Sequence, residues 1–186
     1  MNNLSTTDRL QDLLPQLFSN KKYEGNYYLK FQLTSQINAL LDLKYVQESK
    51  IIDSTQITSI PNLPEYVVGM MSCRNRVFLA VDLAHLVGFI PQTINLRQYQ
   101  TIIVDNSQDD LPSAEAHLYG LTVRKIQGIT RILPEQFNGE IASAPDILCP
   151  FVQSFVELNP ENHDSAIPQR TFLIDLPQLI GAKIQS

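Results

Sequence analysis

The 186-residue chain predicts a mainly β fold, built as two similar small barrel subdomains packed together, each with a short capping helix, plus an N-terminal helical extension. Three observations carry that reading. From Asn26 onward the apolar residues recur with the strand period of two, as in YYLKFQL, where Tyr27, Leu29, Phe31 and Leu33 alternate with Tyr28, Lys30 and Gln32. The eight residues VDLAHLVG (81–88) return as IDLPQLIG (174–181). The agreement also extends upstream, because NALLDLKYVQ matches YGLTVRKIQ, pairing Leu41 with Leu121, Leu43 with Val123, Val46 with Ile126 and Gln47 with Gln127. The offset is 80 residues at that match and 93 at the eight-residue echo, so the second half carries the longer loops. Two copies of a unit too small to be stable alone imply a duplicated barrel with a shared interface.

Taken in order, residues 1–25 stand apart. Leu10, Leu13, Leu14, Leu17 and Phe18 form the apolar stripe of a helix, Ser5 and Asp8 resemble a capping box, and Pro15 should kink the pattern. Such a helix either packs on its own domain or docks a partner. A strand at Asn26 is followed by a short apolar strand and a second one from Tyr45 to Ile52. Pro61 and Pro64 then break the chain. YVVGMMSC pairs with RVFLAV across a tight turn at Arg74-Asn75, and the unbroken apolar run Val77 to Val81 predicts a strand buried on both faces, away from any sheet edge. Asp82 caps a short helix that Gly88 stops. In the second half, QTIIV, two strands in HLYGLTVRKIQGITRIL, CPFVQSFVEL and RTFLI lead to Asp175, a short helix and Gly181. The runs 78–81 and 151–156 should supply the shared interface.

Composition narrows the function. Forty-four per cent of the residues are hydrophobic and 18% charged, which suits a globular chain, and the net charge of −5 argues against bulk nucleic-acid binding. The N-terminus lacks the pattern of a signal peptide and no apolar run reaches a bilayer's length, so the expected location is cytoplasmic. Cys73 and Cys149 match no zinc or redox spacing.

PEYVVGMMSCRNRVFLAVDLAHLVG, YGLTVRKIQGITRI and FLIDLPQLIG together resemble the CheW-like domain family, the adaptor module of bacterial chemotaxis systems, from about residue 26 to residue 181. The elements that correspond are Gly69, the strand Met70 to Cys73, the turn Arg74-Asn75, the strand Val77 to Val81 and the helix start Asp82-Leu83. Three positions depart from the family's pattern. Asn75 stands where Gly commonly follows the turn Arg, Arg124 follows Val123 where many members have Asp, and Leu41 stands where a Pro is usual. Asn accepts positive φ, so the first departure is compatible with the turn. The resemblance implies two five-stranded barrels with chain crossover over 26–181, no enzymatic activity and no cofactor. It also implies coupling of a chemoreceptor's cytoplasmic tip to the regulatory domain of a CheA-type histidine kinase, with recruitment to membrane receptor arrays. The receptor-facing residues it implies are Arg74, with Asn75, Gly69 and Arg76 in the same stretch.

Arg74 at a hairpin tip is held clear of the core and can fork onto carboxylates or carbonyls of a helical partner. A receptor-independent scaffold in a pilus-motility or phototaxis-type pathway fits the same residues. From a different class, a cysteine hydrolase would need Cys73 assembled with one of His85, His117 or His163, without any nucleophile-type turn around the cysteine. A calcium loop starting at Asp105 fails, because Asp110 occupies the glycine position and Ala116 that of the bidentate Glu. Gly120 and Gly128 are spaced too widely for a phosphate loop. Catalytic, metal and cofactor sites are therefore expected to be none.

Overall fold

A computed structural model describes residues 25–92, 96–106, 118–139, 144–158 and 168–184. The expected N-terminal helix, the Asp105 loop beyond Asn106, His117 and His163 lie outside them. Among the described residues eleven strands form two sheets. In chain order these are β1 (Asn26–Gln32), β2 (Asn38–Asp42), β3 (Val46–Asp53), β4 (Ile57–Thr58), β5 (Val67–Cys73), β6 (Arg76–Asp82), β7 (Gln98–Asp105), β8 (Leu118–Val123), β9 (Lys125–Ile132), β10 (Val152–Leu158) and β11 (Gln169–Ile174). Helix α1 (Leu83–Val87) follows β6, and α2 (Leu176–Lys183) follows β11.

The five-stranded sheet runs β10-β11-β2-β1-β9 and the six-stranded one runs β3-β7-β8-β6-β5-β4. When the chain's second repeat is laid on its first, β7, β8, β9, β10 and β11 take the places of β1, β2, β3, β5 and β6, and the two strand orders become the same apart from the extra edge strand β4. Both parallel pairs fall at equivalent places, β11 on β2 and β6 on β8. The sequence repeat is thus structural, but a repeat is not a sheet. The five-stranded sheet takes β1 and β2 from the first repeat and β9 to β11 from the second, and the other sheet does the converse. The matched segments NALLDLKYVQ and YGLTVRKIQ are where the chain passes from one sheet to the other. Gln47 and Gln127, paired in the sequence, are the residues skipped at equivalent β-bulges in the β3–β7 and β1–β9 ladders.

Capping explains the echo. The Asp82 carboxylate accepts from the His85 amide at 3.0 Å, and the Asp175 carboxylate accepts from the Gln178 amide at 3.0 Å. Each such cap contributes about 0.5–2 kcal/mol. The caps are anchored alike, with Asp82 N donating to the Tyr66 carbonyl and Asp175 N to that of Phe151, both at 2.8 Å. Gly88, at φ 117°, stops α1 as expected. Gly181 does not stop α2, which continues to Lys183.

One core joins both sheets and both helices. It includes Phe31, Leu41, Val81, Ile102, Leu121, Phe151, Phe155, Phe172 and the buried faces of α1 and α2. Smaller clusters fill the opposite face of each sheet: Tyr28, Leu40, Ile132, Val156 and Leu173 in one, and Ile52, Met71, Phe78, Ala80 and Ile103 in the other. The expected shared interface is therefore split. Val81, Phe151, Val152 and Phe155 join the common core, whereas Phe78 and Val156 face the private clusters.

Three expectations are corrected. Tyr27 is 53% exposed and Tyr28 is buried, because β1 at its start turns Tyr28 into the private cluster. β6 lies inside its sheet as expected, but Val77, next to the hairpin tip, is 62% exposed. Neither sheet closes into a barrel through a continuous ladder. Instead, a 3-10 turn after each edge strand carries the chain toward the opposite edge. After β3 it yields β4, which pairs with β5. After β9 it yields a single bridge from Asn138 to Phe155. Both turns are held by a glutamine side chain that accepts an amide hydrogen from the residue before the turn, Asp53 N to Gln56 and Leu133 N to Gln136.

Candidate partner site at an open barrel seam

β5 and β6 are joined by a two-residue turn. Arg74 has φ 49° and Asn75 has φ 63°, the left-handed pair that matches the twist of a tight hairpin. Asn75 tolerates this conformation well. Arg74 tolerates it less well, and holding a β-substituted residue there costs on the order of 1 kcal/mol. The result is a rigid tip with the Arg74 side chain 76% exposed.

Arg74 and Asn75 share the tip, while Arg76 begins β6 beside them and lines the same pocket. Gly69 is elsewhere. It is buried within β5, and a Cβ at that position would lie 2.6 Å from the Thr58 carbonyl oxygen and 2.8 Å from the Ile57 side chain. Gly69 thus sets how closely β4 lies on β5, which in turn positions the hairpin from behind.

The seam explains what surrounds Arg74. β3 and β5 are not ladder neighbours, yet the sheet curls enough for their side chains to meet. Arg74 Nη2 lies 3.4 Å from Glu48 Oε2 on β3. Lys50 Nζ donates to Cys73 Sγ at 3.3 Å, and Cys73 Sγ donates to Glu48 Oε2 at 3.5 Å. Side chains from β3 and β5 therefore bridge the gap that backbone bonds leave open. A pocket of about 250 Å³ opens here, lined by Gln47, Glu48, Cys73, Arg74 and Arg76 around an apolar floor of Phe78, Ile103 and Leu118. An exposed ion pair of this kind contributes about 0–1 kcal/mol, so Glu48 orients Arg74 more than it stabilises the fold.

Sequence reasoning missed Glu48 and Lys50. The signal was present, because the alternation of β3 beyond the bulge puts Glu48, Lys50 and Ile52 on one face. What the sequence lacked was the curl that brings β3 against β5.

The arrangement does not assemble hydrolase chemistry from the described residues. Cys73 pairs with Arg76 at one end of β6, and His85 follows Asp82 at the other, about 20 Å along the strand. His85 lies 4.0 Å from Glu65 instead. Among the described residues no three His, Cys, Asp or Glu side chains are placed to hold a metal ion, and no helix is long and apolar enough to cross a membrane.

Comparison with known proteins agrees with this fold. The crystal structure of the scaffolding protein TtCheW from Thermoanaerobacter tengcongensis superposes with a TM-score of 0.61 at 20% sequence identity, covering 84% of this chain and 92% of that one. At that identity the likeness shows the fold. Comparison with curated proteins gives no significant match. The model of the CheW-like domain matches residues 28–183, nearly the whole chain, which therefore belongs to the CheW-like domain family.

Proposed function

We propose that this chain is a non-catalytic adaptor that couples the cytoplasmic tip of a chemoreceptor to a CheA-type histidine kinase. In this reading residues 26–181 form the adaptor domain, residues 1–25 are an extension to it, and the protein works in the cytoplasm at receptor arrays. The observation that carries the proposal is the Arg74 hairpin, a cation on a rigid two-residue turn beside an open pocket in a CheW-like domain.

The mechanism is geometric. A receptor tip is a helical surface whose carboxylates and carbonyls suit a forked guanidinium. Arg74 supplies that contact, Asn75 holds the turn, Arg76 adds a second cation at the pocket rim, and Gly69 keeps β4 close behind. Kinase docking uses a separate barrel surface, so receptor conformation biases the kinase through a rigid intermediary and the two affinities are coupled.

The test is reconstitution. Kinase autophosphorylation is measured with a receptor fragment, with and without this chain. Receptor-dependent kinase activity that requires the chain, and that Arg74→Glu removes while kinase binding persists, supports the coupling. A chain that binds the kinase with full affinity but never the receptor would instead be a receptor-independent scaffold.

A further inference from the structure

The adaptor reading leaves Cys73 and Lys50 without a chemical role. At the seam, Cys73 Sγ stands 3.3 Å from Lys50 Nζ and 3.5 Å from Glu48 Oε2. The thiol is half-buried and faces a pocket of about 250 Å³, ample for a hydroperoxide. A nucleophilic sulfur, a primary amine and a carboxylate meet across two strands that no backbone hydrogen bond joins. The chain's other cysteine, Cys149, donates to the Ala144 carbonyl at 3.4 Å, a neighbour that cannot condense with it.

We propose that Cys73 and Lys50 form a peroxide-dependent, reversible sulfenamide that staples β3 to β5. In the first step the Cys73 sulfur attacks one oxygen of hydrogen peroxide. The O–O bond breaks, sulfur loses two electrons, an S–OH bond forms and one water leaves. In the second step the neutral Lys50 amine attacks that sulfur, an S–N bond forms, and the hydroxyl departs with a proton from Nζ as a second water. Glu48, 3.5 Å from the sulfur, stands beside the departing hydroxyl. The side chains need only close from their 3.3 Å contact to bond distance, and the flexible lysine stem makes the adjustment. A thiol reductant reverses the step by attacking sulfur and returning the free amine.

The experiment uses the full chain carrying Cys149→Ser, so that no intramolecular disulfide can form. It is treated with hydrogen peroxide near pH 8 and read by intact mass and peptide mapping. The expected product is a monomer lighter by about 2 Da, with the Lys50 and Cys73 peptides joined, and dithiothreitol restores the starting mass. In the same background Lys50→Arg should stop at the first step, giving a species about 16 Da heavier that dimedone traps at Cys73. Three results would overturn the proposal: direct passage of Cys73 to sulfinic acid with Lys50 present, a joined peptide that involves another lysine, or a lighter monomer that persists in Lys50→Arg.

Discussion

The two seams of this molecule occupy equivalent places in a duplicated fold and are finished differently. In the five-stranded sheet the gap between β9 and β10 holds an apolar cluster, with Phe137 packed edge-to-face on Tyr28 at 5.3 Å and Leu158 against it, beside a pocket rimmed by the uncharged Gln136 and Asn138 and by Glu157. In the six-stranded sheet the gap between β3 and β5 carries Glu48, Lys50, Cys73 and Arg74. The hairpins beside the seams differ in the same sense. β5 and β6 are joined by two residues in left-handed conformation, whereas ten residues separate β10 from β11. Duplication preserved the strand order, the caps and even the turn glutamines. It did not preserve polarity at one seam, and that is where the partner-facing Arg is proposed to sit. A seam filled with apolar side chains is a core, while one bridged by charged side chains can exchange those partners for another protein's.

The largest expected effect tests the packing behind the hairpin. Ser154 is the residue of the second repeat that stands where the first has Gly69. Gly69→Ser pushes a Cβ to within 2.6 Å of the Thr58 carbonyl and should cost roughly 2–4 kcal/mol in urea unfolding. The reciprocal Ser154→Gly faces only a single bridge at Phe155 and should cost less than about 1 kcal/mol. Equal costs would mean that the two seams are packed alike.

Next comes binding. Arg74→Glu should weaken receptor association by roughly 30-fold or more, as reversal of a central interface cation does. Arg170→Glu, at the base of the other hairpin, where Arg170 lies 3.6 Å from Glu157, should change it by less than about twofold. Surface plasmon resonance on an immobilised receptor fragment reads both. A smaller effect separates orientation from occupancy. Glu48→Gln releases Arg74 from its internal carboxylate and should raise receptor affinity by about two- to fivefold at low salt, with the gain shrinking as salt rises. The smallest concerns the turn itself. Asn75→Gly should stabilise the hairpin by a few tenths of a kcal/mol, because glycine is the preferred second residue of such a turn, and Asn75→Ala should destabilise it by about 1 kcal/mol in the same unfolding measurement.

Much of this was legible in the residues. The repeat, the Asp caps, the Arg74-Asn75 turn and the interior place of β6 follow from local patterns of spacing and conformational preference. The strand exchange between sheets came only with the family resemblance, because pairing partners as far apart as Asn38 and Thr171, 133 residues, leave no mark on local periodicity. The exposure of Val77 and the burial of Tyr28 escaped for a related reason. An apolar residue's side is set by what curls over it, and Val77 lies beyond the reach of the opposite layer. Arg74 could be named from sequence, but its neighbours could not. Glu48 and Lys50 lie on β3, which reaches β5 only because the sheet bends, and Gly69 reads as part of the same surface until β4 is seen lying across it.

The central claim is that one domain holds two separable partner surfaces, with Arg74 belonging to only one. Its most direct measurement is calorimetric titration of the full chain, and of Arg74→Glu, with the regulatory domain of a CheA-type kinase from the same genome. Saturable one-to-one binding that is unchanged by Arg74→Glu is the expected result, and it would place the kinase surface away from the hairpin. Loss of kinase binding in Arg74→Glu, or no binding by the unaltered chain to any such kinase domain, would contradict the account.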